Sequence, residues 1–544
     1  MAKTSPKTTG GKAAPTIVGA AVLLGATALA SRLLGLIRDR LLAGTFGAGV
    51  ELDIYYAAFR IPDLIFTFLV LGALSAGFIP FFTKHYLKKK AGAWEFTNNV
   101  LHIMGVCLIV LSALGAVFTP WIIRFVAPGF EGDTLQQAIE ISRIMYISTV
   151  LLGLSSVFGG VLQGLKRFTL YAIAPLLYNI GIIVGVLGAL FYGWGIEAVA
   201  WGVVLGALLH LLIQMIGSAN SGWRYKLVWN AKDEDVRELL VLMGPRVIGL
   251  AVSQVNLIVM TAIASLLAAG SIAIFNFANN IQYVPIGIVG ISFAIAAFPT
   301  LSEQANKEAI NKMRVTVSAT TRNILFLIIP LSVVFLLLRS QIVRVVLGAG
   351  EFGWNETIIT SHVLAFFVLS LFAQALIPLL VRIFFAFKNT LTPAMIALGT
   401  ALINIVLAWI WSQTFGVVGI AMAFSLASIL QVILLWFFAS RKLKGLDESR
   451  VLQSMTTFCI AALLGGLTVQ AFKTLYGRVI ELDTFMAVLG QGLIAGTAGL
   501  AVYVLAAWIW RSPELHTLWC SLRRRLFRRY QLSESADAAI ETQF

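Results

Sequence analysis

Ser31-Arg32-Leu33-Leu34-Gly35-Leu36-Ile37-Arg38-Asp39-Arg40 sets three arginines and an aspartate inside a stretch, Thr16–Ala43, that otherwise carries no charge. A second group, Asp53, Arg60 and Asp63, lies in the next apolar stretch. One charged side chain near the centre of a bilayer costs roughly 2.5–3.5 kcal/mol. Several in succession therefore need partners, water or a ligand. The chain is therefore expected to be a membrane protein with a polar interior, and its arginines hint at an anionic cargo.

The rest of the chain agrees. Of its 544 residues, 59% are apolar and only 12% charged, and soluble domains carry about twice that charge. Apolar runs recur from Thr16 to Trp510; at roughly 20 residues per crossing they make about fourteen helical spans. The net charge of +15 suggests nucleic acid at first sight. Threading fourteen spans with both ends inside gives another explanation. About 27 of the 40 Lys and Arg fall on inside segments, about 5 outside and about 8 within spans. Such asymmetry is the positive-inside signature, so no nucleic acid is needed, and both termini are expected in the cytoplasm. The opening apolar run is longer than a signal peptide's and carries Arg32 and Arg38, so it reads as a first transmembrane helix.

Two sequence pairs point to an internal repeat. Gly77-Phe-Ile-Pro80-Phe-Phe-Thr-Lys-His85 ends the second span, and Ala296-Ala-Phe-Pro299-Thr-Leu-Ser-Glu-Gln304 ends the eighth. Gly164-Leu-Lys166-Arg-Phe-Thr169 precedes the fifth span, and Ala386-Phe-Lys388-Asn-Thr390 the eleventh. Two six-helix lobes in the same orientation explain both, with a substrate site between them. The expected organisation is a cytoplasmic tail (1–15), an N-lobe (16–217), a cytoplasmic linker (218–238), a C-lobe (239–440), a terminal helix pair (441–511) and a basic tail (512–544). Leu522-Arg-Arg-Arg525-Leu-Phe-Arg-Arg529 in that tail either lies on an anionic leaflet or anchors the topology.

Polar residues gather on helix faces. Asp53, Tyr56, Arg60, Asp63 and Thr67 follow one another at steps of three and four, which is one face of a helix. Arg32 and Asp39 share a face, and a bend at Gly35 brings Arg38 round as well. Arg246, Ser253 and Asn256 form a face in the seventh span, Asn276, Asn279, Asn280 and Tyr283 in the eighth, and Gln374, Pro378 and Arg382 in the tenth. Each has a plainer reading. Arg38-Asp39 is an internal ion pair, Asp53 is solvated among headgroups, and Arg60-Asp63 pairs across one turn. Arg382 snorkels to the cytoplasmic surface, and the asparagines are interhelical glue. Together they form a cavity in which Arg32, Arg38 and Arg60 suit a pyrophosphate, since the guanidinium is a planar fork with a permanent charge.

No Walker A, GxSxG or HExxH motif occurs, and the five His and three Cys (Cys107, Cys459, Cys520) have no ligand spacing. An enzyme, a metal site and a resident cofactor are thus not expected. Transport would couple to a cation or to the membrane potential, which is worth about 2.3 kcal/mol per charge per 100 mV.

Several of these motifs resemble one family. Ala30-Ser31-Arg32-Leu-Leu-Gly35-Leu-Ile-Arg38-Asp39, Phe46-Gly-Ala-Gly49, Asp53, Ala57-Ala-Phe59-Arg60-Ile-Pro62-Asp63-Leu64 and Gly72-Ala-Leu-Ser75 resemble the opening of the MurJ/MviN-type lipid II flippases, in the MOP (MATE-like) exporter superfamily. Similar stretches follow at Val126-Ala-Pro128-Gly-Phe130, Ala174-Pro175 with Asn179, Gly244-Pro245, Ser253-Gln254-Val-Asn256, Ala278-Asn279, Phe298-Pro299 and Arg382-Ile-Phe-Phe-Ala386. The resemblance implies fourteen helices in two lobes plus a terminal pair, with a groove for a lipid tail at that pair. It implies alternating-access transfer of undecaprenyl-pyrophosphate-linked peptidoglycan precursor to the outer leaflet of the bacterial inner membrane. Lipid II, membrane lipids and the cell-wall synthesis machinery are the implied partners, and Arg32, Arg38, Asp39 and Asp53 the family's cavity residues. Here the chain departs from the family: Phe66-Thr67 stands where an Arg pair is usual, Leu71 for a Glu, and Asn279-Asn280 for Asp-Arg. Arg60 and Arg246 are candidates to supply the missing charge. The other readings are a MATE-like cation-coupled exporter of another polyprenyl-linked glycan or of organic cations, which favours acidic cavity residues, and a non-transporting scaffold.

Overall fold

The computed structural model describes residues 17–71, 77–517 and 519; the side chains of 17–24, 70, 71, 240 and 242–250 are not among what it describes. The N-terminal tail, the basic tail apart from 512–517 and 519, Cys520, the motif at Gly72–Ser75 and the side chain of Arg246 therefore lie outside the described residues. Among the described residues the chain is all-helical, without strands. In order the helices are α1 (Ile17–Phe46), α2 (Val50–Phe66), α3 (Ile79–Lys88), α4 (Lys90–Val126), α5 (Gly132–Gly164), α6 (Phe168–Tyr192) and α7 (Gly195–Ala219). Then come α8 (Glu234–Ser265), α9 (Ser271–Pro285), α10 (Ser292–Asn306), α11 (Ile310–Leu337), α12 (Arg339–Leu347) and α13 (Trp354–Leu369). The last are α14 (Leu371–Ala386), α15 (Leu391–Phe415), α16 (Val417–Leu443), α17 (Glu448–Val479) and α18 (Phe485–Ile509). Among the described residues ten helical segments are long and apolar enough to cross a membrane, one of them α9 and α10 joined as Ser271–Asn306. The pair α13–α14, bent by 46°, makes an eleventh.

Two helices change pitch inside the apolar layer. α2 runs past Pro62 into a π-helical turn at Thr67–Leu71, and α9 passes Pro285 into another at Ile286–Ile291. Proline removes one N–H from the ladder and pushes on the carbonyl a turn before it, and a wider turn absorbs the misfit. The breaks between helices also recur. Gly47 and Gly270, Gly132 and Gly350, Lys166 and Lys388, and Gly193 and Gly416 all have positive φ, each pair about 220 residues apart. At Lys166 and Lys388 the matching extends to hydrogen bonds: Arg167 N donates to Leu162 O (2.8 Å) and Asn389 N to Phe384 O (3.0 Å). These are left-handed helix ends of the Schellman type.

The chain divides into two compact units. The first comprises residues 1–41, 58–122 and 137–250. Its tightest pairing is α6 against α7, where glycines meet. A Cβ on Gly181 would lie 2.2 Å from Gly206, and one on Gly185 2.8 Å from Gly202, so only bare backbone allows this approach. The extended segment after α7 is held on α4 by side chains: Asn99 exchanges two hydrogen bonds with Asn230, Asn98 Nδ2 donates to Arg224 O, and Trp223 Nε1 donates to Asn98 Oδ1.

The second unit comprises residues 42–57, 123–136 and 251–544. A large apolar core, including Ile324, Phe326, Leu379, Leu380, Ile383 and Leu435, holds α10, α11, α14 and α16 together with α17 and α18. The terminal pair is tied to it by polar contacts. Tyr503 Oη donates to Phe326 O (2.7 Å), Gln341 Nε2 donates to Gln491 Oε1 (2.9 Å), and Arg322 pairs with the buried Glu514.

Candidate functional site

In the first unit the opening motif makes a compact polar cluster. The Arg38 guanidinium donates to Asp39 Oδ1 from Nε (3.0 Å) and Nη2 (2.7 Å), and from Nη1 to Asn179 Oδ1 (3.2 Å). Asn179, on α6, is fixed in turn: its Nδ2 donates to Pro175 O (3.0 Å) and to Ser31 Oγ (3.4 Å). Asp39 is buried, while the Arg38 side chain keeps 22% of its surface exposed. The cluster therefore holds a cation in place by three hydrogen bonds and leaves part of it exposed, an arrangement able to accept an anion such as a phosphate. The expected ion pair between neighbours is present, and it also aims the arginine. Ser31 and Asn179 carry the motif's resemblance, but their place in the cluster was missed. The signal was a lone asparagine four residues after Pro175 in an apolar span.

Arg32, Arg60 and Asp63 are partly buried, and none is without a partner. Arg246 belongs to α8, but its side chain is outside the described residues. Lys84 and His85, at the end of α3, both contact Asp235 of α8, at 2.8 Å each. The Lys84 hydrogen bond holds the Asp235 carboxyl below its ordinary range, with a smaller contribution from His85, and Asp235 raises the Lys84 ammonium above its own.

The second unit places Asp53 where sequence alone did not. A solvated Asp53 among headgroups is ruled out, because the residue is 4% exposed. Its Oδ2 accepts from Gly270 N (2.7 Å) and its Oδ1 from Ala273 N (2.8 Å), the backbone donors at the start of α9. The carboxylate is thus an N-cap contributed by another helix. The turn it binds is crowded: Gly270 has φ 87°, and a Cβ there would sit 1.8 Å from Ala48 O.

Further along α9, Asn279 and Asn280 are half-buried. Asn279 Oδ1 accepts from Gln282 Nε2 (3.0 Å), and Gln282 Oε1 accepts from Gln374 Nε2 of α14 (2.9 Å). Arg382, also on α14, donates from Nη1 to Pro378 O (3.0 Å). Asn404 Nδ2 on α15 donates to Asn256 Oδ1 on α8 (2.9 Å). That pair has the same sequence separation, 148 residues, as Asn179 and Ser31. Beside α17 an apolar cavity of about 220 Å³ is lined by Ile329, Ser332, Val333, Leu336, Val368, Leu369, Phe372, Met455 and Cys459. Its walls suit a hydrocarbon chain and offer almost nothing to a charge. Among the described residues no group of His, Cys, Asp and Glu could hold a metal ion.

Comparison with known proteins identifies the fold and the lineage. The chain superposes on the solved structure "Lipid II flippase MurJ, inward closed conformation" with TM-score 0.74, at 24% identity, over 90% of this chain and 98% of that one. It also superposes on an inward-facing MATE-family multidrug transporter of the MOP superfamily, with TM-score 0.65 at 16% identity over 79% of this chain and 99% of that one. Among curated proteins, the probable lipid II flippase MurJ of Rhizobium tropici is 28% identical over 93% of this chain and 96% of its own length. That of Rhizobium meliloti (strain 1021) is 30% identical over 76% and 78%. The family model "Lipid II flippase MurJ" matches residues 42–488, most of the chain, and the protein therefore belongs to the lipid II flippase MurJ family.

Proposed function

We propose that this protein is a lipid II flippase of the bacterial inner membrane, carrying the undecaprenyl-pyrophosphate-linked precursor of peptidoglycan from the inner to the outer leaflet. Family membership supports the reaction. The observation that carries the site is the Arg38 cluster, a guanidinium held by Asp39 and Asn179 and still partly exposed. Arg38 binds the pyrophosphate, with Arg32 and Arg60 adding charge. Asp39 positions Arg38, and Asp53 anchors the turn into α9. The apolar cavity beside α17 receives part of the lipid tail.

The organisation we propose is fourteen spans in two six-helix lobes of parallel repeat, with a terminal pair and both termini in the cytoplasm. The recurrence of left-handed helix ends and of π-helical turns about 220 residues apart supports the repeat. The π-helical turns are where bending during alternating access is cheapest, because their hydrogen bonds are already rearranged. Drive comes from a cation gradient or the membrane potential.

The test is complementation in bacteria depleted of their own lipid II flippase, following survival and outer-leaflet lipid II. The wild-type chain should rescue, and Arg38→Ala should lose the rescue while still inserting in the membrane. No rescue by an inserted, folded wild-type chain would refute lipid II as the cargo.

A further inference from the structure

A line of hydrogen bonds crosses the second unit from α16 to α9 and ends on Asn279. Ser425 Oγ donates to Phe366 O (2.6 Å), Ser370 Oγ donates to Ser425 Oγ (3.0 Å), and Gln374 Nε2 donates to Ser370 Oγ (2.9 Å). The other proton of that amide nitrogen goes to Gln282 Oε1 (2.9 Å), and Gln282 Nε2 donates to Asn279 Oδ1 (3.0 Å). Gln282, Ser370 and Ser425 are buried, Asn279 only half so.

The direction of this line is not arbitrary. A backbone carbonyl only accepts. Phe366 O therefore takes the Ser425 proton, the one Ser370 proton lies between Ser425 Oγ (3.0 Å) and Phe367 O (3.1 Å), and Phe367 O, 3.5 Å from Gln374 Nε2, faces that amide's NH2. Reversing every amide would turn the Gln374 oxygen toward the Phe367 carbonyl, oxygen against oxygen, and draw the one Ser370 proton away from Phe367 O and Ser425 Oγ. With the carbonyl end fixed, each amide fixes the next. Asn279 is left with its oxygen occupied and its NH2 group without a partner among the described residues.

We propose that Gln282, clamped by Gln374 and Ser370, is a positioning residue that holds the Asn279 carboxamide with its NH2 outward, so that Asn279 acts as a fixed donor to the phosphate oxygens of the cargo. A free asparagine offers either an acceptor or a donor, and an anionic phosphate only accepts. The relay removes the wrong choice before binding, which is preorganisation. It gives neutral residues part of the work a cation would do on this helix. This inference rests on the flippase reading above.

The experiment is a double-mutant cycle on the full chain in lipid nanodiscs, measuring affinity for a polyprenyl pyrophosphate. Asn279→Leu removes the donor and should weaken binding about tenfold. Gln282→Met keeps the volume, frees the Asn279 amide to turn, and should weaken binding about threefold. In the Asn279→Leu background the second change should cost nothing, since there is no amide left to position. Gln374→Met, one step further back, should reproduce the Gln282→Met result and serves if that variant does not fold. A Gln282→Met loss of equal size in both backgrounds, or no loss in either, overturns the relay. Failure of the wild-type chain to bind polyprenyl pyrophosphate overturns instead the flippase reading, and the relay with it.

Discussion

Asp53 illustrates how a buried carboxylate can be structural in a transporter. Its two oxygens close the first turn of α9 by accepting from Gly270 and Ala273. Asparagine at this position has one oxygen to offer and turns an NH2 toward the other backbone donor. Asp53→Asn should therefore lower stability by about 1–3 kcal/mol, the cost of a buried donor left unpaired. Thermal melting in detergent checks this, and a variant that melts with the wild type would mean the cap is dispensable. Arg38 is the opposite case, since its contacts with Asp39 and Asn179 leave it partly open. Both residues look alike in sequence, as charges in apolar runs. Only their partners separate the buried cap from the partly open cation.

At the scale of elements, α3 and α8 are joined at their ends by Lys84, His85 and Asp235. The folded Asp235 pKa is depressed, so its contribution is present above the ordinary carboxylate value of 3.8 and is lost as pH falls through the lower folded value. The folded Lys84 pKa is raised, so its contribution is present below 10.5 and is lost only as pH rises through the higher folded value. The Lys84–Asp235 pair should thus hold over the whole working range. Hydrogen exchange at the start of α8 is expected to show the same protection from about pH 5 to pH 9. Asp235→Asn should remove that protection at every pH in this window. A wild-type joint that opens within the window would contradict the ion-pair account.

At the scale of the whole molecule, the chain has arginines in its opening motif yet uncharged residues at Phe66-Thr67 and Asn279-Asn280, where the sequence resemblance implies charge. If Arg60 and Arg246 make up the deficit, replacing each with alanine should impair complementation and replacing both should abolish it. A double variant that rescues fully would exclude the compensation. The loss would then fall on the remaining arginines and on donors such as Asn279.

The sequence alone was enough for the membrane class and the all-helical fold. Hydropathy is a property of composition along a segment, and the bilayer imposes its period on every helix. Lys166 and Lys388 were readable as a pair for the same reason, since each ends a helix through its own local backbone. Arg32, Arg38 and Asp39 were legible as a candidate site because charge in an apolar helix demands an explanation. The roles of Asn179, Gln282 and Gln374 were not. A hydrogen bond between helices 141 residues apart, as for Arg38 and Asn179, or 92 apart, as for Gln374 and Gln282, depends on which faces meet and which carbonyl breaks the tie. That is decided by tertiary packing, because the direction of an amide is set by its neighbours in space and leaves no periodic trace along the chain.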